Sequence, residues 1–458
     1  MKNYCTQLFQ QQAGLTRWKR LDDVATKFRH CYNRSLQYTP LRRTEHTMVC
    51  KFASGSQHAS IIAFATNFGR LEIFDLDRKD PLCHCWIFKT PIFDFAWVPE
   101  QMYLLASGVK QRLILWDIAV GMRPVSVLDH VLERSEHNDD AVTSVAVCKE
   151  NPFLCVYGIA EHGQIEFCDM RNGLQRVRRI YNTHKLQTNT NNYLKKSVTG
   201  LVFKDTNSVV SCTGYDSTIK LWDFRYMRYD RVNGRPIPQQ TFAYKGSFSD
   251  AEVGFSSLVV DDYNVKLYAN CTDTHIYCYN INSTNSEPIM KYQDTTDSCQ
   301  IPYDFGSHIR LSLSKDGSYI LNGSCDNSAF IWNTNLSHPI VRLNHEDPVC
   351  CVAWQPTYGY DQTLVTSETS QWRSIWRISA PESDTDSKFD AHSRYKVINV
   401  YPTVPNQLKL TNHEKILGQQ VRPCKKCFNG TTDIYCKKCL ETRVTKFLKR
   451  NRFSPYCN

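Results

Sequence analysis

The chain lacks the short motifs that mark the common catalytic centres. Its 458 residues contain no phosphate-binding GxxxxGK[ST] loop, no GxSxG nucleophile turn, no HExxH metal site and no glycine-rich dinucleotide fingerprint. Each of these motifs supplies a group that its chemistry cannot do without, such as a nucleophile, a metal ligand or a phosphate cradle. We therefore expect a protein that is not an enzyme.

Long apolar runs are absent as well. No stretch approaches the length that a membrane span needs, and residues 1–20 lack the apolar centre of a signal peptide. We therefore expect no membrane partner and an intracellular chain whose twenty cysteines are mostly reduced. Where cysteines fall in strand-like patterns, as Cys50, Cys155 and Cys351 do, we expect small buried apolar residues.

Acidic residues are scarce at both ends of the chain. Lys plus Arg number 9 against 2 Asp plus Glu in residues 1–44, and 12 against 3 in residues 408–458, whereas residues 45–407 carry 34 against 40. A basic folded body would point to nucleic acid as its main partner, and this division assigns any such role to the tails.

What the chain does contain is a repeat. A strand that ends in an aromatic or apolar residue followed by Asp, or a substitute for it, recurs at intervals of 42 to 57 residues. These intervals approach the ~40–45 residues of a WD repeat once loop insertions are allowed. The seven anchors predict an all-β, seven-bladed WD-repeat propeller. They are Phe74, Trp116, Cys168, Trp222, Tyr279, Trp332 and Trp376.

The repeat also divides the chain. Residues 45–380 form the expected propeller, 1–44 supply a ring-closing strand from within 16–32, 381–420 are a linker, and 421–458 are a small tail. Two polar insertions, 182–196 and 229–240, are expected to be surface loops because they lack apolar periodicity. Asp216 and Asp326 fall in turns and His137 and His345 precede inner strands, and we expect structural roles for all four.

Two neighbouring anchors extend to Asp-x-Arg, Asp169 with Arg171 in the third blade and Asp223 with Arg225 in the fourth. An Arg just past a blade strand projects toward the rim, and the preceding Asp can hold its guanidinium in one rotamer. A fixed guanidinium can bind a carboxylate or carbonyl of a partner bidentately. The alternative is a salt bridge within the blade, and two consecutive copies favour the interface.

Tandem Asp-x-Arg motifs of this kind resemble those of the substrate receptors of the cullin-4 ubiquitin ligase. The segments IFDFAWVPEQMYLLASGVKQRLILWDIAVG, VVSCTGYDSTIKLWDFR and GFSSLVVDDYNVKLYANCTDTHIYCYNI resemble, more narrowly, the denticleless family of such receptors. The phrases FDFAWVP and LYANCTDTHIYCYN are not general WD-repeat consensus, and the likeness covers roughly residues 45 to 380.

The resemblance implies a receptor that presents replication or cell-cycle proteins for ubiquitination, typically after their degron has docked on the sliding clamp PCNA. Asp169, Arg171, Asp223 and Arg225 would contact the ligase adaptor. Cys168 stands where the family motif has Trp. The chain ends about 80 residues after the propeller and has no Qxx[ILM]xx aromatic-aromatic clamp motif, so we expect a short, divergent member.

The tail carries the sequence CKKCFNGTTDIYCKKC. Two CxxC turns can supply the four thiolates of a structural zinc site, so we expect one Zn²⁺ there, with unliganded cysteines as the alternative. The expected ligands are Cys424, Cys427, Cys436 and Cys439.

The basic run KFLKRNR follows the paired cysteines. It predicts a nuclear-localisation signal or a phosphate-contacting patch, with a solvated tail as the alternative. We expect a nuclear protein, with the cytoplasm as a second location. The second functional hypothesis is a nuclear scaffold that associates with nucleic acid or chromatin through this tail. The residues concerned are Lys446, Lys449, Arg450 and Arg452.

Overall fold

The fold consists of β-strands arranged in consecutive antiparallel sheets. The computed structural model describes residues 28–31, 45–55, 57–78, 81–107, 112–129, 141–160, 163–184, 198–214, 216–232, 234–246, 253–293, 309–357, 362–370, 372–378 and 397–399. Within these ranges there is no helix that could cross a membrane.

Seven sheets of at least four strands follow one another as blades, as the repeat predicts. The first strand of the chain, β1 (Phe28–Cys31), belongs to the last blade. Blade 1 contains β2 (Thr47–Phe52), β3 (Ile61–Thr66), β4 (Arg70–Asp75) and β5 (Pro81–Trp86). Blade 2 contains β6 (Phe95–Trp97), β7 (Tyr103–Ser107), β8 (Arg112–Asp117) and β9 (Arg123–Asp129). Blade 3 contains β10 (Val142–Val147), β11 (Leu154–Ile159), β12 (Gln164–Asp169) and β13 (Gln175–Ile180).

The remaining four blades repeat the plan with additions. Blade 4 contains β14 (Val198–Asp205), β15 (Ser208–Thr213), β16 (Thr218–Asp223) and β19 (Gln240–Ala243), with the separate ribbon β17 (Arg228–Tyr229) and β18 (Pro236–Ile237). Blade 5 contains β20 (Phe255–Val260), β21 (Lys266–Cys271), β22 (His275–Asn280) and β23 (Met290–Gln293). Blade 6 contains β24 (Leu311–Leu313), β25 (Tyr319–Gly323), β26 (Ser328–Asn333), β27 (Pro339–Asn344) and β31 (Val397–Asn399). Blade 7 contains β28 (Val349–Trp354), β29 (Thr363–Glu368) and β30 (Arg373–Ile378), together with β1.

In blades 1 to 6, the fourth strand is less buried than the second. Every residue of β3, β15 and β29 is buried, because neighbouring blades cover both faces of these strands. The outer strands β5 and β13 are largely exposed. All seven anchor residues lie on the third strand of their blade, next to this core.

Hydroxyl groups near the start of the first strands join neighbouring blades. The pairing of β10, β14 and β20 with their second strands shifts register at this point, and a β-bulge there re-aims the side chain. Each hydroxyl donates a hydrogen bond to a backbone carbonyl of the next blade. These bonds connect blades 3 to 6. The bonds are Thr143 Oγ1 to Val198 O at 2.9 Å, the Thr199 hydroxyl to Phe255 O, and Ser256 Oγ to Ile309 O at 2.8 Å.

The first strands surround a central cavity of about 410 Å³. Arg310 reaches across it, donating from Nη1 to Thr199 O at 3.1 Å and to Ser256 O at 3.2 Å, and from Nη2 to Phe93 O at 3.2 Å. One guanidinium therefore ties blades 2, 4 and 5 to its own blade 6.

The ring closes in blade 7, where β1 pairs antiparallel with β30 over the register Phe28–Ile378 to Cys31–Ile375. This strand falls inside the segment 16–32 from which a closing strand is expected. Phe28 is buried and meets the ring of Trp354 edge-on, with centroids 5.8 Å apart. The pairing covers an outer edge that would otherwise stay open.

Three segments differ from the sequence-based expectations. The insertion 182–196 is not wholly a surface loop, because Thr183 and His184 are buried. The insertion 229–240 is at the surface but contains most of the ribbon β17–β18. The expected linker 381–420 includes β31, which pairs antiparallel with β27 of blade 6.

Candidate docking site on the propeller rim

A common turn follows the third strand in six of the seven blades. The Asp or Asn that ends the strand accepts a hydrogen bond from the backbone N–H two residues later, which is an Asx turn. The N–O distances are 3.2 Å at Asp75, 3.0 Å at Asp117, 2.9 Å at Asp169, 2.9 Å at Asp223, 3.0 Å at Asn280 and 2.9 Å at Asn333. The Asp of each Asp-x-Arg motif therefore has a structural role that the other blades share.

The middle residue of each motif anchors the turn. Met170 is buried in the core that blades 2 and 3 share, and Phe224 packs on Phe167 of the preceding blade with ring centroids 4.6 Å apart. Met170 is buried and Phe224 half-buried, whereas the arginines that follow them are exposed, so Arg171 and Arg225 are directed outward. Local packing thus places both arginines on the rim.

In blade 3, Asp169 clamps the guanidinium of Arg171. Arg171 Nε lies 2.9 Å from Asp169 Oδ2 and 3.1 Å from Oδ1, and Nη2 also donates to Oδ2. The Arg171 side chain nevertheless stays 68% exposed. The hydrogen bonds from Arg171 lower the pKa of Asp169 below its ordinary value, so this carboxylate is charged at neutral pH.

Blade 4 repeats the arrangement. Arg225 donates from Nε to Asp223 Oδ1 at 3.2 Å and from Nη2 to Oδ2 at 2.9 Å, and its side chain is 53% exposed. The Arg225 hydrogen bonds lower the pKa of Asp223 as well. The guanidinium carbon lies 5.5 Å from the ring centroid of Tyr226, a cation–π contact.

The two arginines occupy equivalent positions on adjacent blades. Both follow a third strand and therefore lie at the end of the propeller where first strands turn into second strands. In each guanidinium, Nε and Nη2 donate to the Asp, whereas Nη1 donates no hydrogen bond to the described residues, so a carboxylate or carbonyl of a partner could bind it. Each arginine can therefore form the salt bridge within its blade and still offer a hydrogen-bond donor to a partner.

Cys168 does not alter the third-blade motif. It is buried at the anchor position opposite Cys155 of β11. The turn depends on Asp169 and on the burial of Met170, and the Asp–Arg geometry matches that of blade 4. The departure from Trp at this anchor leaves the rim arrangement intact.

The histidines of the inner turns have structural partners. His345 Nδ1 lies 2.8 Å from Glu368 Oε1, and its Nε2 lies 3.2 Å from Thr366 Oγ1, which accepts from Trp376 Nε1 at 2.9 Å. This network agrees with the structural role expected of His345. His137 lies outside the described residues.

Sequence reasoning missed the corresponding histidine of blade 4. His184 Nδ1 lies 3.1 Å from Asp216 Oδ2, its Nε2 lies 2.7 Å from Ser211 Oγ, and Trp222 Nε1 donates to Ser211 Oγ at 2.8 Å. His184 precedes Asp216 by 32 residues, against 23 between His345 and Glu368, because the insertion separates it from β14. Asp216 has the structural role expected of it.

The tail residues fall outside the part of the chain that the structure describes. This holds for Cys424, Cys427, Cys436 and Cys439 and for Lys446, Lys449, Arg450 and Arg452. Among the described residues, no group of three or more His, Cys, Asp or Glu side chains could hold a metal ion.

Comparison with known proteins agrees with this architecture. The family described as WD domain, G-beta repeat matches residues 184–223 and 301–333. The chain is similar to Protein lethal(2)denticleless of Drosophila melanogaster, with 30% identity over 381 residues that cover 76% of this chain and 46% of that protein. It is also similar to the Denticleless protein homolog of Homo sapiens, with 28% identity over 72% of this chain and 46% of the human protein. The chain thus matches about half the length of these relatives.

Proposed function

The propeller of this chain belongs to the denticleless family of WD-repeat proteins, and from this premise we propose that the protein is a substrate-recognition subunit of a cullin-4 ubiquitin ligase. In this role the propeller performs no catalysis. It docks on the ligase adaptor and presents degron-bearing proteins of replication or the cell cycle for ubiquitination, in the nucleus.

The observation that carries the proposal is the pair of clamped arginines on adjacent blades. Asp169 and Asp223 hold the guanidinium groups of Arg171 and Arg225 in one orientation, so little side-chain entropy is lost when a partner binds. Both side chains are exposed, so their Nη1 groups can donate to a partner from one rim. A partner that spans two blades can engage both at once.

We assign different roles to the Asp and the Arg of each motif. The Asx turn occurs in blades that have no arginine two residues on, so Asp169 and Asp223 position the guanidinium groups and hold the turn. The direct contact with the adaptor is assigned to Arg171 and Arg225.

The experiment compares the double variant Arg171→Glu/Arg225→Glu with wild type in binding to purified ligase adaptor. A charge-assisted hydrogen bond contributes about 1.5–3 kcal/mol, so loss of two should weaken binding by at least about a hundredfold. Arg78→Glu is the matched control, because Arg78 is an exposed rim arginine that pairs with Asp75 in blade 1 at 3.2 Å. Circular dichroism checks that each variant is folded.

Wild-type affinity retained by the double variant would refute the assignment of these arginines. Failure of the wild-type chain to bind the adaptor would refute the proposed function itself. Equal losses in the double variant and in Arg78→Glu would indicate a general effect of charge rather than a docking site.

A further inference from the structure

One connection between a third and a fourth strand is much longer than the corresponding connections of the other blades. It lies at the end of the propeller that carries Arg171 and Arg225. The turn from the third to the fourth strand spans five residues in blades 1, 2, 3 and 6 and nine in blade 5. In blade 4 it spans sixteen, 224–239, and contains the ribbon β17–β18. Because Arg225 is the second residue of this connection and β17 starts at Arg228, the ribbon lies directly beside the fourth-blade docking motif.

The ribbon is held in shape by its own backbone. Arg228 pairs with Ile237 and Tyr229 with Pro236. Beyond them, Asp230 donates its N–H to Arg235 O at 2.8 Å, and its carbonyl accepts from Gly234 N at 2.9 Å. A preformed turn of this kind can bind a partner without a large ordering cost.

The surface of the ribbon is basic and apolar at once. Residues 225–237 contain four arginines against Asp230 alone. Arg228 and Arg231 are exposed and form no ion pair with the described residues. Val232 is 93% exposed at the tip, and Tyr226 is 75% exposed at the base. Arginine and tyrosine are the residues that most often anchor protein interfaces.

We propose that the ribbon of blade 4 is a second docking element that binds an acidic, apolar-lined surface of the ligase adaptor next to the site of Arg225. The proposal rests on the proposed function. An acidic partner follows from the excess of arginine, which would attract carboxylates and speed association. A protein rather than a nucleic acid follows from Val232, because an aliphatic tip is buried best in an apolar pocket, whereas bases offer aromatic faces for stacking.

The charge and the apolar tip are tested by separate variants of the full chain binding to purified adaptor at low and at moderate salt. Arg228→Ser/Arg231→Ser should slow association about tenfold at low salt and flatten the salt dependence, because rim charges act mainly on the association rate. Val232→Ser should speed dissociation about fivefold with little change in association. All three side chains are exposed, so the propeller should stay folded.

Matched controls remove the same groups elsewhere. Val120→Ser changes a valine that is 65% exposed in the equivalent turn of blade 2, and Arg78→Ser/Lys89→Ser removes two exposed positive charges from blade 1. Both controls should bind as wild type. A control that weakens binding as much as its ribbon counterpart would overturn the proposal.

The outcomes separate this inference from the function on which it rests. Normal binding by both ribbon variants, combined with loss of binding in Arg171→Glu/Arg225→Glu, overturns the ribbon and leaves the receptor function standing. No binding by wild type overturns both. Ribbon variants that bind the adaptor normally but lose affinity for a single-stranded oligonucleotide would mean that the surface serves nucleic acid, which also overturns the proposal.

Discussion

Replacing Asp216 by alanine should destabilise the propeller by about 4 kcal/mol. The buried carboxylate accepts hydrogen bonds from Thr218 N at 2.9 Å and from His184 Nδ1 at 3.1 Å, and Lys220 Nζ lies 3.4 Å away. Removing one partner from a largely buried ion pair costs about 3–5 kcal/mol, and the substitution takes the carboxylate away from Lys220 Nζ and from the buried Nδ1 of His184. The midpoint of that range gives the expected loss.

The direction of the hydrogen bonds explains why the effect should extend beyond the turn. Trp222 donates to the Ser211 oxygen, so the Ser211 hydroxyl is left to donate to His184 Nε2, and His184 donates from Nδ1 to Asp216. Each group has one assigned role, and the carboxylate is the last acceptor. Its removal therefore leaves His184 Nδ1 without an acceptor among the described residues.

Asp326 provides the control, because it occupies the same place in the turn of blade 6. Its two oxygens accept no hydrogen bond from the described residues, and its ion pair, with Arg342 at 3.3 Å, is partly exposed. Asp326→Ala should therefore cost no more than about 1 kcal/mol. Urea titrations followed by tryptophan fluorescence measure both variants, under conditions where the unfolding and refolding curves coincide. A difference below about 1 kcal/mol between the two would refute the network argument.

Three further predictions concern pH, ring closure and the tail. Burial lowers the pKa of His184 below its ordinary 6.5 although Asp216 opposes the shift. As the pH falls, the unfolded state therefore binds a proton at His184 before the folded state does, so the free energy of unfolding should fall below pH 6.5. Urea titrations at several pH values should show a shallower fall for His184→Gln than for wild type. Phe28→Ala should cost about 3–5 kcal/mol by the same measurement, because it empties a buried contact with Trp354. Elemental analysis of protein never exposed to chelator should give about one zinc per chain, and a metal-free tail would contradict the Cys₄ prediction.

The blade count could be predicted from the sequence because the third strands carry the strongest repeating signal. Each anchor stands in a buried strand and is followed in most blades by an Asp or Asn whose turn geometry requires that residue type. Variation in loop length changes the interval between anchors but not the local pattern. Even Cys168, which lacks the aromatic ring of the other anchors, keeps the Asp that follows it.

The burial of Thr183 and His184 could not be predicted in the same way. Polar residues in a segment without apolar periodicity indicate a loop, and most of the insertion 182–196 fits that pattern. The hydrogen bonds of His184 to Ser211 and Asp216 make its burial possible, and these partners lie on other strands of blade 4. Periodicity detects which side chains avoid water, but it does not detect which polar groups satisfy each other.

The ribbon of blade 4 escaped prediction for a different reason. Its two strands are only two residues long each, too short for an alternating pattern, and Tyr229, Val232 and Ile237 stay exposed instead of marking a core. The segment is therefore ordered although its polar sequence shows no periodicity. In the sequence, the length of the insertion and the excess of arginine in 225–237 set this connection apart from those of the other blades.

The Asx turn gives the Asp of each motif a role in the fold, whereas the Arg side chain is not part of the turn that the blades share. Because Asp75, Asp117, Asn280 and Asn333 form the same turn without an arginine two residues later, loss of Asp223 would disturb a structural element as well as the orientation of Arg225. A binding defect in an Asp223 variant would therefore have two explanations. Arg171 and Arg225 are exposed, and their own packing contributes little to the blades. Substitution of the arginines is thus the change that tests docking without testing the fold.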